Sequence, residues 1–373
     1  MLWNNPQNGG CLIHLIISNC HIDFFIGMSA QEEESLMVRV WFNHWFSTSY
    51  GLIELMKNDK KDRIYVIASN KQADSVIQKV CDEWYTDSLL EGDEYVEYCV
   101  NFCIEHKIDV FVPRKEMAAV SRERQRFEEA GVKVMADDYS VISMLDNKAA
   151  AYDFLKDCEG LYIPDYAVVN TEREFTEAYN RMKKDHGKLV VKFVKDEGAM
   201  SYRRITDRVK DFRDLKIYPG PVTTYEDYVS ALREVPRFDD LMIMPYLSGT
   251  EISVDCLDTA YGLIAVPRYK GVSREEKIIF NDEIINMSRI ITDKLKLQYP
   301  CNIQFKMKDG KPYLLEINAR MSGGLQMTCL SQNINIPNIA LNKVLGRDIK
   351  WSMSYEGSVV SYIETPKIIR RLE

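Results

Sequence analysis

With 373 residues, the chain is long enough for two or three packed domains, and its 46% hydrophobic and 28% charged residues are typical of a globular protein with a buried core. The net charge of -8 argues against a nucleic-acid-binding protein, which would need a basic face. Nine scattered cysteines without a Cys-x-x-Cys pair favour free thiols in a reducing cytoplasm over disulfides or a zinc site.

The first 36 residues precede the first recognisable strand. Their apolar stretch, Cys11–Ile26, carries polar side chains and is too short to span a bilayer. It has no basic segment in front of it, so we expect neither a secretory signal nor a membrane partner. We predict that residues 1–36 are an extension outside the core fold, and a partner-binding segment is the alternative.

From Met37 onward, strand-like apolar runs alternate with helical periodicity. The strand-like runs are Val38–Phe42, Ile64–Ala68, Ile108–Pro113 and Val132–Met135. Between them, apolar residues recur at helical spacing after Leu52 and along Val96–Ile104, and Glu116–Ala130 is predicted to be one polar helix. This alternation predicts a parallel sheet covered by helices, with ligands binding beyond the carboxyl ends of its strands. Residues 37–137 therefore form a predicted α/β domain.

A second unit begins near Asp138. Its predicted helices are Leu145–Asp157, residues 172–184 behind the capping box Thr171-x-x-Glu174, and Asp282–Leu297. Its predicted strands are Leu189–Lys195, Tyr202–Ile205, Asp240–Tyr246, Glu251–Leu257, Leu263–Arg268, Asn302–Met307 and Tyr313–Ala319. The last two strands are expected to form a hairpin around Asp309-Gly310.

The final strand of this hairpin carries the most informative pattern in the chain. Because a strand alternates faces with period two, Glu316, Asn318 and Arg320 are expected on one face, with about 6–7 Å between successive members. Carboxylate and amide oxygens suit Mg²⁺, and an arginine beside them suits phosphate. The alternative interpretation is a half-exposed strand whose polar face meets only water.

The hairpin register decides whether the facing strand adds a further ligand. A two-residue Asp309-Gly310 turn would pair Gln304 with Leu315 and place it on the opposite face from Glu316. We therefore predict a three-residue loop, residues 308–310, which pairs Gln304 with Leu314 and brings it onto the face of Glu316.

These residues resemble the nucleotide and metal signature of ATP-grasp enzymes, most closely their carbamoyl-phosphate-synthetase-like branch. The segment 40–47 also resembles the ATP-grasp subgroup linked to bacterial stress-resistance (tellurite-type) operons. The resemblance implies an α/β fold in which a Rossmann-like pre-ATP-grasp domain (37–137) precedes a two-lobed ATP-grasp domain (138–350, lobes 138–245 and 246–350). A C-terminal segment, 351–373, follows.

The resemblance also implies roles for individual residues, which occur in the family's order. The metal ligands are Gln304, Glu316 and Asn318. The nucleotide-binding residues are Lys148, Lys192, Gly198, Ser201, Met244, Pro245, Tyr246, Leu247 and Glu251. The catalytic residue is Arg320. Arg268 and Lys270 are weaker catalytic candidates, and so are Arg114 and Lys115 from the first domain.

The implied activity is a Mg·ATP-dependent ligase of the cytoplasm that activates a carboxylate as an acyl phosphate for attack by an amine. Two Mg²⁺ ions are expected, with Mn²⁺ as a substitute, and a homodimer is among the assemblies left open. A carbamoyl-phosphate-synthetase-like or kinase-type phosphoryl transfer without ligation is one alternative. A non-catalytic nucleotide-binding protein is the other.

One departure from the family pattern concerns the loop over the phosphates. Family members carry several glycines there, which let backbone N–H groups approach the phosphates. Here the loop holds a single glycine, Gly198, beside acidic residues. The sequence does not decide whether this loop limits activity, nor which acid and amine are used.

Overall fold

Five strands form the first sheet, at the amino-terminal end of the described chain. The computed structural model describes residues 37–58, 62–196, 198, 200–208 and 220–372, so the predicted extension 1–36 lies outside the described residues. The strands are β1 (Met37–Asn43), β2 (Arg63–Asn70), β3 (Glu83–Thr86), β4 (Val110–Val112) and β5 (Lys133–Val134). Their order is β3-β2-β1-β4-β5, and the β1–β4, β2–β3 and β4–β5 pairs are parallel. These pairs confirm the predicted parallel sheet, although β3 was not among the predicted strands.

The helices of this region are α1 (Ser49–Lys57), α2 (Gly92–Glu105), α3 (Met117–Arg122) and α4 (Arg124–Glu129). The prediction of one helix over Glu116–Ala130 is therefore wrong, because the chain turns at Glu123. After this turn, the guanidinium of Arg124 donates to the carbonyl oxygen of Val134 at 2.9 Å and to that of Ala136. Helical periodicity carries no sign of such a tertiary contact.

The carboxyl edge of the first sheet is held together by the side chain of Asn43, at the end of β1. Its Oδ1 accepts from the backbone N–H of Arg114 at 2.6 Å, and its Nδ2 donates to the carbonyl oxygen of Lys115 at 3.2 Å. Below this edge, the Trp41 ring stacks on the Phe111 ring at a centroid distance of 4.3 Å. The packed core thus fixes the segments that follow β1 and β4.

The second sheet contains β6 (Ala167–Val169), β7 (Leu189–Phe193), β8 (Arg203–Thr206), β9 (Val222–Thr224) and β10 (Leu241–Pro245), in the order β6-β10-β7-β8-β9. Its helices are α5 (Tyr139–Leu145), α6 (Lys148–Leu155), α7 (Glu172–His186) and α8 (Tyr225–Leu232). The capping box is confirmed at α7, where Thr171 Oγ1 accepts from the N–H of Glu174 at 3.3 Å.

The prediction of one helix over Leu145–Asp157 is wrong at its start. Asn147 interrupts it, because its Oδ1 accepts from the N–H of Ala150 at 2.9 Å and caps a new helix, α6. Lys148 is therefore the first residue of a helix.

The third sheet is antiparallel and contains the predicted metal row. Its strands are β11 (Glu251–Leu257), β12 (Ile264–Lys270), β13 (Glu275–Ile278), β14 (Cys301–Lys308), β15 (Lys311–Asn318) and β16 (Ser358–Ser361), in the order β15-β14-β11-β12-β13-β16. The helices are α9 (Asp282–Leu295), α10 (Leu325–Gln332) and α11 (Ile336–Val344). The C-terminal segment thus contributes an edge strand to this sheet.

Val38–Glu373 forms one compact unit. The domain and lobe boundaries at residues 137, 245 and 350 stay predictions. None of the described helices combines the length and apolar character that a membrane crossing needs.

Candidate functional site

The hairpin β14–β15 brings Gln304 directly opposite Glu316, with Asn302 opposite Asn318. Its turn is the two-residue Asp309-Gly310, because Lys308 pairs with Lys311 and both turn residues have positive φ, 52° and 78°. The predicted three-residue loop is therefore wrong. The common face of Gln304 and Glu316 is nevertheless confirmed.

A β-bulge accounts for this outcome. Phe305 pairs with Leu314, whereas Gln304 pairs with Glu316, so Leu315 is an extra residue on β15. The extra residue shifts the register by one and returns Gln304 to the face of Glu316. The turn alone would have placed Gln304 opposite Leu315.

The amide groups in this row are oriented by hydrogen bonds within the sheet. Asn318 Nδ2 donates to Glu316 Oε1 at 3.1 Å, and Gln304 Nε2 donates to Asn302 Oδ1 at 3.2 Å. Both amide nitrogens are thus used within the row, which leaves amide oxygens beside a carboxylate. This all-oxygen donor set fits Mg²⁺. In the described part of the chain, no cluster of three or more His, Cys, Asp or Glu side chains offers a different metal site.

Two adjoining cavities open on this row. The central cavity, about 780 Å³, is lined by Glu316 and Asn318 and by Arg114, which follows β4. The side cavity, about 640 Å³, is lined by Lys192 and by the residues that end β10. Six residues line both cavities: Lys148, Asp196, Gly198, Lys270, Gln304 and Glu316. A long ligand can therefore extend from one cavity into the other past the predicted metal ligands.

Two buried lysines flank the junction of these cavities. Lys148 Nζ donates to the carbonyl oxygen of Asp196 at 2.6 Å, so the start of α6 is attached to the segment after β7. Lys192 lies on β7 and is only 6% exposed. Burial lowers the pKa of Lys192 to about 8, although the nearby Glu316 carboxylate opposes this shift, while Lys148 adds to it. The positive charge at this junction lacks enough negative counter-charge, and a bound anionic ligand would supply it.

The loop after β7 is fastened by its own side chains. Ser201 donates to Asp196 Oδ2 from its hydroxyl at 2.6 Å and from its backbone N–H at 2.8 Å. The same hydroxyl oxygen accepts from the N–H of Phe193 at 2.9 Å. Gly198 reaches both cavities with a φ of 64°, a conformation that favours glycine. The structure thus places Gly198 at the site, whereas Ser201 bonds within its loop, and its predicted ligand role stays a prediction.

The side cavity collects the residues predicted to hold a nucleoside. Met244, Pro245, Tyr246, Leu247 and Glu251 all line it. On its far wall, the guanidinium carbon of Arg204 lies 5.3 Å from the ring centroid of Tyr246. Glu251 is paired with Lys270 and lies 3.6 Å, through Oε2, from Lys306 Nζ. The predicted hydroxyl acceptor therefore lies between two lysine side chains.

Arg320 lies just beyond the end of β15 and lines the central cavity. Its guanidinium carbon is 5.3 Å from the centroid of the Phe46 ring, and that of Arg114 is 3.8 Å from the same ring. Phe46 thus contacts one cation that follows β4 and one that follows β15. Lys115 is instead directed to Tyr95 and to the carbonyl oxygen of Ser88, 2.8 Å from its Nζ.

Arg268 is engaged by protein carboxylates. It is 2% exposed; its Nε donates to Asp255 Oδ2 at 2.8 Å, and its Nη1 donates to Glu276. Burial acts to lower the pKa of Arg268, but these two carboxylates outweigh it and raise the pKa above its ordinary value. Ser322 Oγ accepts a further bond at 3.0 Å. These bonds favour a positioning role, and direct contact of Arg268 with substrate stays a prediction.

Sequence reasoning missed several residues of the site. They are Tyr202, Arg204, Asp255, Asn302 and Lys306. Two of them carried a usable signal, because Asn302 and Lys306 alternate with Gln304 along β14 and so share its face. Asp255 joins the row only through space: its Oδ1 accepts from Asn302 Nδ2 at 2.9 Å.

Residues 237–366 match a family model described as ATP-grasp in the biosynthetic pathway with Ter operon. The carbamoyl phosphate synthase large chain of Pyrococcus furiosus is 24% identical over 260 residues, which are 65% of this chain and 22% of that protein. The phosphoribosylamine–glycine ligase of Fusobacterium nucleatum is 22% identical over 313 residues, 78% of this chain and 70% of that protein. This chain therefore spans about a fifth of the synthase's length.

A solved structure shares the fold. The dimeric biotin carboxylase domain of Hydrogenobacter thermophilus 2-oxoglutarate carboxylase, in complex with MgADP, ADP and bicarbonate, superposes with a TM-score of 0.61 at 17% identity. The match covers 85% of this chain and 71% of that domain. The chain has the ATP-grasp fold. The predicted ATP-grasp fold and the carbamoyl-phosphate-synthetase-like resemblance are thereby confirmed.

Proposed function

We propose that this ATP-grasp chain is a Mg·ATP-dependent ligase that joins a carboxylate to an amine. The observation that carries the proposal is the continuity of the side and central cavities past Gln304 and Glu316. A nucleotide with its base beside Met244–Leu247 would direct its phosphates toward Lys148 and Arg320. The names of the similar ligases support the same class of reaction.

The polar row would hold the metal. Gln304, Glu316 and Asn318 supply one carboxylate and two amide oxygens, and we expect two Mg²⁺ ions there, replaceable by Mn²⁺. When bound, the ions would offset negative charge on the β- and γ-phosphates. Lys148 and Lys192 would hold phosphate oxygens. Because both lysines are buried, their electrostatic attraction to the phosphates would be strong.

Two bond exchanges complete the proposed reaction. A carboxylate oxygen forms a bond to the γ-phosphorus, the bond from that phosphorus to the β–γ bridging oxygen breaks, and ADP leaves with the electron pair. The amine nitrogen then bonds to the acyl carbon, the carbon–oxygen bond to phosphate breaks, and the departing phosphate takes up the proton that the amine loses. Arg320 and Arg114, in the central cavity, would bind the charged oxygens during both exchanges.

Release of ADP tests the proposal. The full chain is incubated with Mg·ATP and pools of carboxylic acids, with hydroxylamine present to trap an acyl phosphate as a hydroxamate. We expect hydroxamate with at least one acid, and a ligated product once amines replace hydroxylamine. Product that forms equally well without any amine would instead indicate kinase-type transfer. Absence of both ADP and hydroxamate with every acid would refute the ligase.

A further inference from the structure

A third cavity, the outer cavity, adjoins the central one. It has a volume of about 1130 Å³ and lies between the start of α1, the turn 270–276 and the C-terminal segment 362–367. Four residues line both the outer and the central cavity: Thr48, Lys270, Glu276 and Tyr362. Because pockets for drug-sized ligands measure roughly 300–1,000 Å³, the outer cavity has room for a second substrate.

The C-terminal wall of the outer cavity is anchored at the site. Tyr362 donates from its hydroxyl to the carbonyl oxygen of Gly323 at 2.5 Å, and Gly323 itself lines the central cavity. Four residues before Tyr362, β16 begins its pairing with β13. The segment that closes the outer cavity is thus held both by the sheet and by the loop that follows β15.

Every described cation on the wall of the outer cavity is already engaged. Lys270 is paired with Glu251, and Arg274 is paired with Glu364. Lys367 Nζ lies 5.8 Å from the centroid of the Tyr50 ring. An anionic substrate would therefore have to displace existing partners to bind here.

Two carboxylates line the same wall, and the Tyr50 hydroxyl hydrogen-bonds to one of them, Glu54. Within the described ranges, neither Glu54 nor Glu275 has a lysine or arginine within ion-pair distance. The side chain of Glu275 packs closely against Gly271. A Cβ at position 271 would lie only 2.3 Å from Glu275 Oε1, so only glycine leaves room for this carboxylate. Backbone N–H groups of Glu275 itself, Ser273 and Val272 hold the pKa of Glu275 below its ordinary value, and the charge of Lys277 adds to this shift, so the carboxylate is ionised at neutral pH.

We infer that the outer cavity binds the amine co-substrate as an ammonium ion, with Glu54 and Glu275 as its counter-charges. This inference rests on the proposed ligase function. The ammonium ion would release one proton to the solvent, and the resulting free amine nitrogen would enter the central cavity past Glu276 and Tyr362, which belong to both cavities. The cavity's volume points to an amine-bearing molecule of amino-acid size or larger, because ammonia would need only a small fraction of it.

The kinetic test uses the variants Glu54→Gln and Glu275→Gln of the full chain, singly and together. Glu105→Gln is the matched control, since Glu105 is exposed at the end of α2 and lines none of the three cavities. We expect KM for the amine to rise about tenfold in each single variant. Hydroxamate formation with hydroxylamine, a small uncharged nucleophile, should stay within about twofold of wild type. An unchanged KM in the double variant, or an equal loss of hydroxamate formation, would overturn the assignment.

A binding test separates this inference from the ligase proposal, because it needs no turnover. Saturation-transfer NMR is recorded with n-butylamine, which is an ammonium ion at neutral pH, and with butyrate, which has the same chain length and the opposite charge. The double variant should lose most of the butylamine signal and keep the butyrate signal. Equal butylamine signals in wild type and double variant would refute the ammonium site even if ligase activity had been found. A charge-selective loss would support it even if no acid had been identified.

Discussion

Nucleotide binding is expected to draw a proton onto Lys192. The pKa of this lysine is about 8 in the nucleotide-free protein, compared with its ordinary 10.5, because burial disfavours the charged amine. The difference corresponds to about 3 kcal/mol of disfavoured charge. Phosphates bound beside Lys192 would remove this penalty and raise its pKa well above 8. At pH 8 the free lysine is half protonated, so binding should take up about 0.5 proton, falling to about 0.1 at pH 7.

Isothermal titration calorimetry measures this uptake. ADP is titrated at pH 7 and pH 8 in buffers of different ionisation enthalpy, and the slope of the heat against that enthalpy gives the number of protons. Metal is left out, so that the charge of Glu316 stays the same. Lys192→Arg is the control, because its guanidinium does not titrate in this range and should bind ADP without proton uptake. An uptake near zero in wild type at pH 8, or the same uptake in the control, would refute the reasoning.

Three further substitutions probe the metal row, the aromatic contact and the buried ion pair. Glu316→Ala should reduce kcat by at least about 100-fold with an unchanged thermal unfolding midpoint, because its side chain faces the cavity. Phe46→Leu should raise KM for ATP about three- to tenfold by loosening Arg320, whereas Phe46→Tyr should restore wild-type kinetics. Asp255→Ala should lower the free energy of unfolding by about 3–5 kcal/mol in urea titrations, because it leaves Arg268 buried with one counter-charge fewer. Wild-type turnover, unchanged KM and unchanged stability would contradict these three expectations in turn.

Much of the candidate site could be predicted because strand geometry is local. Period-two alternation places Glu316 and Asn318 on one face, and no distant contact alters that spacing. Lys192 was recognisable because a charge inside an apolar strand is costly unless a partner or ligand offsets it. In the structure, Glu316 and Asn318 line the central cavity. Lys192 and Glu316 line the side cavity that adjoins it.

Other features could not be predicted, because they depend on residues far apart in the chain. The bulge at Leu315 changes the register of the hairpin. The prediction from the sequence attributed this change of register to a three-residue turn instead. The partners of Arg268 lie 13 and 8 positions away on neighbouring strands, so their contacts appear only when β11, β12 and β13 pair. The interruption at Asn147 moved Lys148 from a helix interior to a helix start.

By itself, the sequence determined the alternation of strands and helices and the polar face of the last hairpin, because hydrophobic periodicity and strand pleating act over a few residues. Tertiary structure alone decided that three cavities adjoin, that Phe46 reaches the Arg320 guanidinium, and that the C-terminal segment closes the outer cavity. These features join residues more than 200 positions apart, and their energies come from packing and from charges brought together by the fold, which no local pattern records.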